Sequence, residues 1–106
     1  MDKDNAYCDK GFNNGQLFVI NLGLDLGLDV SKYAKLEFND DQMEQIRLGL
    51  EQNLNVDIYN KSSFSWLQMA QIRLGLEFGI DISKYAYPDY SVRKMRKIRK
   101  QLILNM

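Results

Sequence analysis

The chain repeats itself every 26 residues, and that period constrains its fold more than any other feature. Gln42–Glu51 reads QMEQIRLGLE and Gln68–Glu77 reads QMAQIRLGLE. Stepping back by the same offset reaches Gln16–Asp25, and stepping forward reaches Lys94–Ile103. The units are then residues 12–37, 38–63, 64–89 and 90–106, the last one truncated, and residues 1–11 form a leader outside them. A repeat this short cannot bury its own apolar face, so about three or more copies must stack side by side.

Each position of the unit has a local physical reading. Asn13, Asn39, Ser65 and Ser91 stand where a helix N-cap belongs, with a side-chain oxygen for the unpaired backbone N–H groups of the first turn. Gln16, Gln42 and Gln68 follow three residues later and complete capping boxes, whereas the last unit has Lys94 there. Phe12, Phe38, Phe64 and Tyr90 precede the caps at hydrophobic-staple spacing from Leu17, Met43, Met69 and Met95. Met43, Ile46 and Leu50, with their equivalents, fall on one helical face, and Leu22, Leu48 and Leu74 point away from it, as neighbours on two sides require. Gly23, Gly49 and Gly75 recur in mid-helix, where glycine costs about 1 kcal/mol relative to alanine. The simplest need they could meet is close approach of an adjacent backbone. The helix is expected to stop at Gly27, Asn53, Gly79 and Asn105, residues that accept the left-handed conformation, with apolar followers of the Schellman kind. Asp29, Asn55 and Asp81 then open a short capped helical turn that carries Val30, Val56 or Ile82 and a tyrosine. The expected architecture is an all-α miniature α-solenoid: long helix, Gly/Asn C-cap, short helical turn, four times over.

Charge is distributed unevenly. The chain is neutral overall, but residues 1–89 carry 14 acidic and 8 basic side chains and residues 90–106 carry six basic and no acidic ones. Such a split can steer a charged partner or drive head-to-tail self-association. No apolar stretch reaches the roughly 20 residues of a membrane span, and the first residues lack a signal-peptide core. With one cysteine there is no internal disulfide, and a cytoplasmic location is expected.

Chemistry has little to work with. The chain has no histidine, which removes the usual general base and the commonest neutral metal ligand. Cys8 has no histidine partner and no zinc-ligand spacing. No enzyme activity, cofactor or metal site is expected. The candidate sites are binding surfaces. Arg47, Arg73 and Arg99 form a file, one per unit, readable as a cationic stripe or, preferably, as structural arginines satisfied by carbonyls or by Glu51 and Glu77. Arg93, Lys94, Arg96, Lys97 and Lys100 surround the apolar face of the last helix, and nucleic-acid backbone, an acidic protein or plain solvent are all open to them. No aromatic residue interleaves them for base stacking. Trp66 and Leu67 replace Asp40 and Asp41 of the second unit, Phe78 replaces Gln52, and Tyr87 replaces Lys61. Apolar residues at positions polar elsewhere mark a partner-facing surface. Phe18 and Val19 are likewise apolar, and cover by residues 1–11 is expected there.

The QMxxIRLGLE motif at Gln42–Glu51 and Gln68–Glu77, with GIDISKYA at Gly79–Ala86, resembles a short helical repeat in proteins of bacterial mobile genetic elements. The likeness covers about residues 12–106. Copy one departs from it at Phe18, Val19 and Asn21, and copy four lacks the glycine and the second segment. The resemblance implies no catalytic residues. It implies a plasmid, phage or conjugative-element accessory protein, with inhibition of a host defence enzyme such as a CRISPR nuclease as one role open to it. The leading expectation is a non-enzymatic protein-interaction module whose partner is a larger host protein. Sequence-nonspecific nucleic-acid binding and a structural or oligomerising role stand as alternatives.

Overall fold

The computed structural model describes residues 7–106; residues 1–6, the larger part of the expected leader, lie outside the described residues. Helices α1 (Asn14–Asp25), α2 (Asp40–Glu51), α3 (Trp66–Phe78) and α4 (Val92–Leu104) alternate with three short 3-10 turns at Val30–Lys32, Val56–Ile58 and Ile82–Lys84. Among the described residues there is no strand, and each long helix packs on the next in chain order. The molecule is elongated, 50 × 24 × 16 Å. None of its helices is long and apolar enough to cross a membrane.

The caps explain where the helices begin. Asn13, Asn39 and Ser65 accept from the backbone N–H of Gln16, Gln42 and Gln68, whose side-chain oxygens accept in turn from the cap N–H groups at 2.8–2.9 Å. Ser91 caps α4 through Lys94 N–H at 3.1 Å without the reciprocal bond. Each cap contributes roughly 1 kcal/mol.

Helix ends follow the same logic in the first three units. Gly27, Asn53 and Gly79 have φ of 73°, 59° and 71°. Leu28, Leu54 and Ile80 N–H groups then reach back to the carbonyls of Gly23, Gly49 and Gly75 at 2.9–3.1 Å, closing Schellman motifs. Asn105 departs from the expectation. Its φ of −94° keeps it out of the left-handed region.

The capping glutamines have a second bond. Their Nε2 groups donate to the carbonyls of Phe38, Phe64 and Tyr90, the residues just before the next unit's cap, at 2.7–2.8 Å. These bonds tie N-terminus to N-terminus, so successive long helices run parallel. Farther along, Arg73 Nε donates to Gln45 Oε1 at 3.0 Å and Arg99 Nε to Gln71 Oε1 at 2.9 Å.

The mid-helix glycines answer a different need from the one expected. A Cβ at Gly23, Gly49 or Gly75 would collide with the hydroxyl of Tyr33, Tyr59 or Tyr85 and with a methyl of Val30, Val56 or Ile82. The intruder is thus the unit's own short turn, not the backbone of a neighbouring helix. Each hydroxyl donates to a helix carbonyl, Val19, Gln45 or Gln71, at 2.6–2.7 Å. All three tyrosines are fully buried. Burial pushes Tyr85 up to about 12 and raises Tyr33 and Tyr59 as well.

Candidate functional site

Trp66 and Leu67 occupy the first turn of α3, directly after the Ser65 cap. They are 39% and 42% exposed. The next residue, Gln68, bonds through Nε2 to the carbonyls of Pro88 and Tyr90, both at 2.8 Å. That double bond holds the segment before α4 against the start of α3. Tyr87, 46% exposed, lies in this segment with its ring 5.1 Å from that of Tyr90. Lys94 Nζ sits 3.8 Å above the Tyr90 ring, within cation–π range. Trp66 and Leu67 thus stand exposed on the first turn of α3, and Tyr87 stands exposed in the segment that Gln68 holds against that end of the helix.

Phe78 does not join them. It is 50% exposed but closes the other end of α3, about 18 Å from Trp66 at 1.5 Å rise per residue. Of the four residues grouped from the sequence, Trp66, Leu67 and Tyr87 thus lie toward the start of α3, and Phe78 is an exposed ring at its other end. The Tyr90–Lys94 contact, by contrast, was missed as a site feature. Its signal was present, a lysine four residues after an aromatic at a helix start, but Tyr90 was read only as a staple residue. An aromatic side chain does stand at the start of the basic helix.

Arg93, Lys94, Arg96, Lys97 and Lys100 are exposed on α4. At 3.6 residues per turn they cover an arc of about 160°. Among the described residues, no carboxylate lies within ion-pair distance of any of them. Arg99 stands apart, half-buried and held by Gln71.

The arginine file is held by the protein itself. Arg73 binds Gln45 on the preceding helix and Glu77 on its own. Arg47 has Val19 where a glutamine would precede it, and it turns instead to Glu44 at 2.6–2.8 Å and Glu51 at 2.7 Å. Those bonds, Glu44 foremost, raise its pKa further. Glu44 occurs at this position in the second unit only; the others have Phe18, Ala70 and Arg96. Loss of one partner is thus matched by gain of another.

Val19 is buried, and Tyr33 donates to its carbonyl. Phe18 is 70% exposed, and most of the segment expected to cover it lies outside the described residues. Tyr7 rests edge-on against Phe12, ring centroids 6.2 Å apart, so the described end of the leader is attached to the core. Tyr7 also lies 26 residues before Tyr33. Cys8 is exposed. Among the described residues no three cysteine, aspartate or glutamate side chains converge as a metal ion needs.

No protein-family model, curated protein or solved structure matches the chain.

Proposed function

We propose that the chain is a miniature α-solenoid of four 26-residue units that works by binding a larger protein and has no catalytic activity of its own. In this reading it serves a mobile genetic element by blocking a surface of a host defence enzyme. The observation that carries the binding role is the exposure of Trp66, Leu67 and Tyr87 toward the start of α3, apolar side chains at positions that hold Asp40, Asp41 and Lys61 in the preceding unit. A partly exposed tryptophan beside an exposed leucine supplies the apolar anchor of a protein interface.

The test is capture from the native host on immobilised protein, wild type beside Trp66→Ala and Phe78→Ala. A specific partner is expected on wild type and Phe78→Ala and lost on Trp66→Ala, with truncation of such an anchor costing roughly 2 kcal/mol or more. The Trp66→Ala melting temperature should stay close to wild type. A partner held equally by all three proteins would remove this surface from consideration. So would a Trp66→Ala protein that no longer folds, since Trp66 would then belong to the core.

A further inference from the structure

We propose that the outward face of α4 binds the phosphate backbone of duplex nucleic acid without reading its sequence, a second surface independent of the one around Trp66. Three observations lead there. First, the cations do not serve the helix that carries them. Arg93 and Lys94 sit in the first turn, where the helix dipole disfavours positive charge. Arg93 and Lys97, Arg96 and Lys100, and Lys97 and Lys100 are like charges at spacings that destabilise a helix. No described carboxylate offsets them.

Second, this face is closed to another helix of the same kind. Lys94 and Lys97 stand where Gln42 and Gln45 of α2 reach the next helix. Gln101 replaces the glycine that receives a buried tyrosine. A second copy therefore cannot continue the stack through these contacts.

Third, the chemistry of the face selects among polyanions. Met95 is buried, and Ile98 and Leu102 are packed against the core, so the apolar stripe of α4 is turned inward. Its exposed Leu104 is only the last residue of the helix, far less than a face that inserts in a lipid surface. Three of the five exposed cations are lysine, a residue depleted from protein interfaces, and no apolar side chain stands between them. The one ring that meets the arc, Tyr90, is packed against the core and covered by Lys94 and Tyr87, so it offers no open face to stack an unpaired base. Exposed cations along one side of a helix, unpaired with any described carboxylate, suit regularly spaced phosphates.

Binding of a fluorescent duplex by the full chain, measured over a fourfold rise in salt, tests this. Five phosphate contacts give a log–log slope of about −4.5, or roughly a 500-fold loss of affinity over that rise. The Arg96→Gln/Lys97→Gln/Lys100→Gln protein, whose changes are all exposed, should keep its circular dichroism and melting temperature. It should bind more weakly at low salt, with a slope near −2. A scrambled duplex should bind as well as any other. Absence of binding at low salt, or an unchanged slope in the triple variant, overturns the proposal. A single strand or poly-glutamate of equal charge that binds as tightly as the duplex also overturns it, the latter in favour of an acidic protein.

Discussion

A Cβ placed on Gly49 would meet two atoms with nowhere to go. One is the Tyr59 hydroxyl, fixed by its 2.6 Å bond to the Gln45 carbonyl, and the other is a methyl of the β-branched Val56. Alanine gains about 1 kcal/mol of helix propensity over glycine. Overpacking a tight core costs about 1–3 kcal/mol, and with a rigid ring and a branched side chain on the same spot the cost should win. Gly49→Ala is therefore expected to lower stability by roughly 1–2 kcal/mol in denaturant melts. Tyr59→Phe alone loses a buried hydrogen bond, about 1 kcal/mol. In the Gly49→Ala background that second change should cost less, because it removes one of the two clashing atoms. A double-mutant cycle reads the coupling directly. Strictly additive effects would show that the hydroxyl is not what holds the position to glycine. The same pairing recurs at Gly23 with Tyr33 and Gly75 with Tyr85, and α4, with no buried tyrosine packed on it, has Gln101 at the glycine position.

The element scale turns on why glutamine, not glutamate, closes the capping boxes. Either residue accepts from the cap N–H, and a carboxylate would suit the helix dipole better. Only the amide has a donor left for the carbonyl of the following unit, as Gln42 Nε2 has for Phe64. Gln42→Glu keeps the cap and removes the inter-helix bond, setting a carboxylate against a buried carbonyl. We expect it to destabilise by about 1–3 kcal/mol near neutral pH. Protonation restores a donor and the folded state favours it, so the penalty should shrink as pH falls toward the ordinary glutamate range and change no further below it. Thermal melts of both proteins from neutral to acidic pH would show this. A gap that stays constant with pH would mean the bond to Phe64 contributes little. This bond also marks the limit of what could be read in advance. Caps, boxes and Schellman ends lie within one helical turn and were legible as spacing. The links from Gln42 to Phe64 and from Gln45 to Arg73 span 22 and 28 residues. A period tells which positions recur and leaves open which of them touch. For the same reason Gly49 could be flagged while its partner was misassigned, and Trp66 and Phe78 could be grouped although a whole helix separates them.

Among the described residues, the main helix-to-helix packing runs from each helix to the next, so α1 and α4 each have one such neighbour. α2 and α3 bury residues on two faces, among them Gln42, Gln45 and Gly49, and Gln68, Gln71 and Gly75. In α4 only Met95 is buried, and no short turn packs beneath it. A chain built this way holds together through nearest-neighbour interfaces, so its ends should open without its centre. Native-state amide exchange is expected to show the strongest protection in α2 and α3, less in α1 and least in α4. Opening α4 exposes mainly Met95, Ile98 and Leu102, each worth roughly 1.5–3 kcal/mol when fully buried, so its local stability should fall below the global value. Equal protection in all four helices would mean that the molecule opens as one block and that the nearest-neighbour description is wrong. Exchange also connects this gradient to the cationic face. A ligand that grips only the formed helix stabilises it by about 2.7 kcal/mol at a hundredfold excess over its Kd. Saturating duplex should then raise protection first in α4, the element with the most to gain, before it changes α2. A rise confined to α1 would place the nucleic acid at the wrong end of the 50 Å axis.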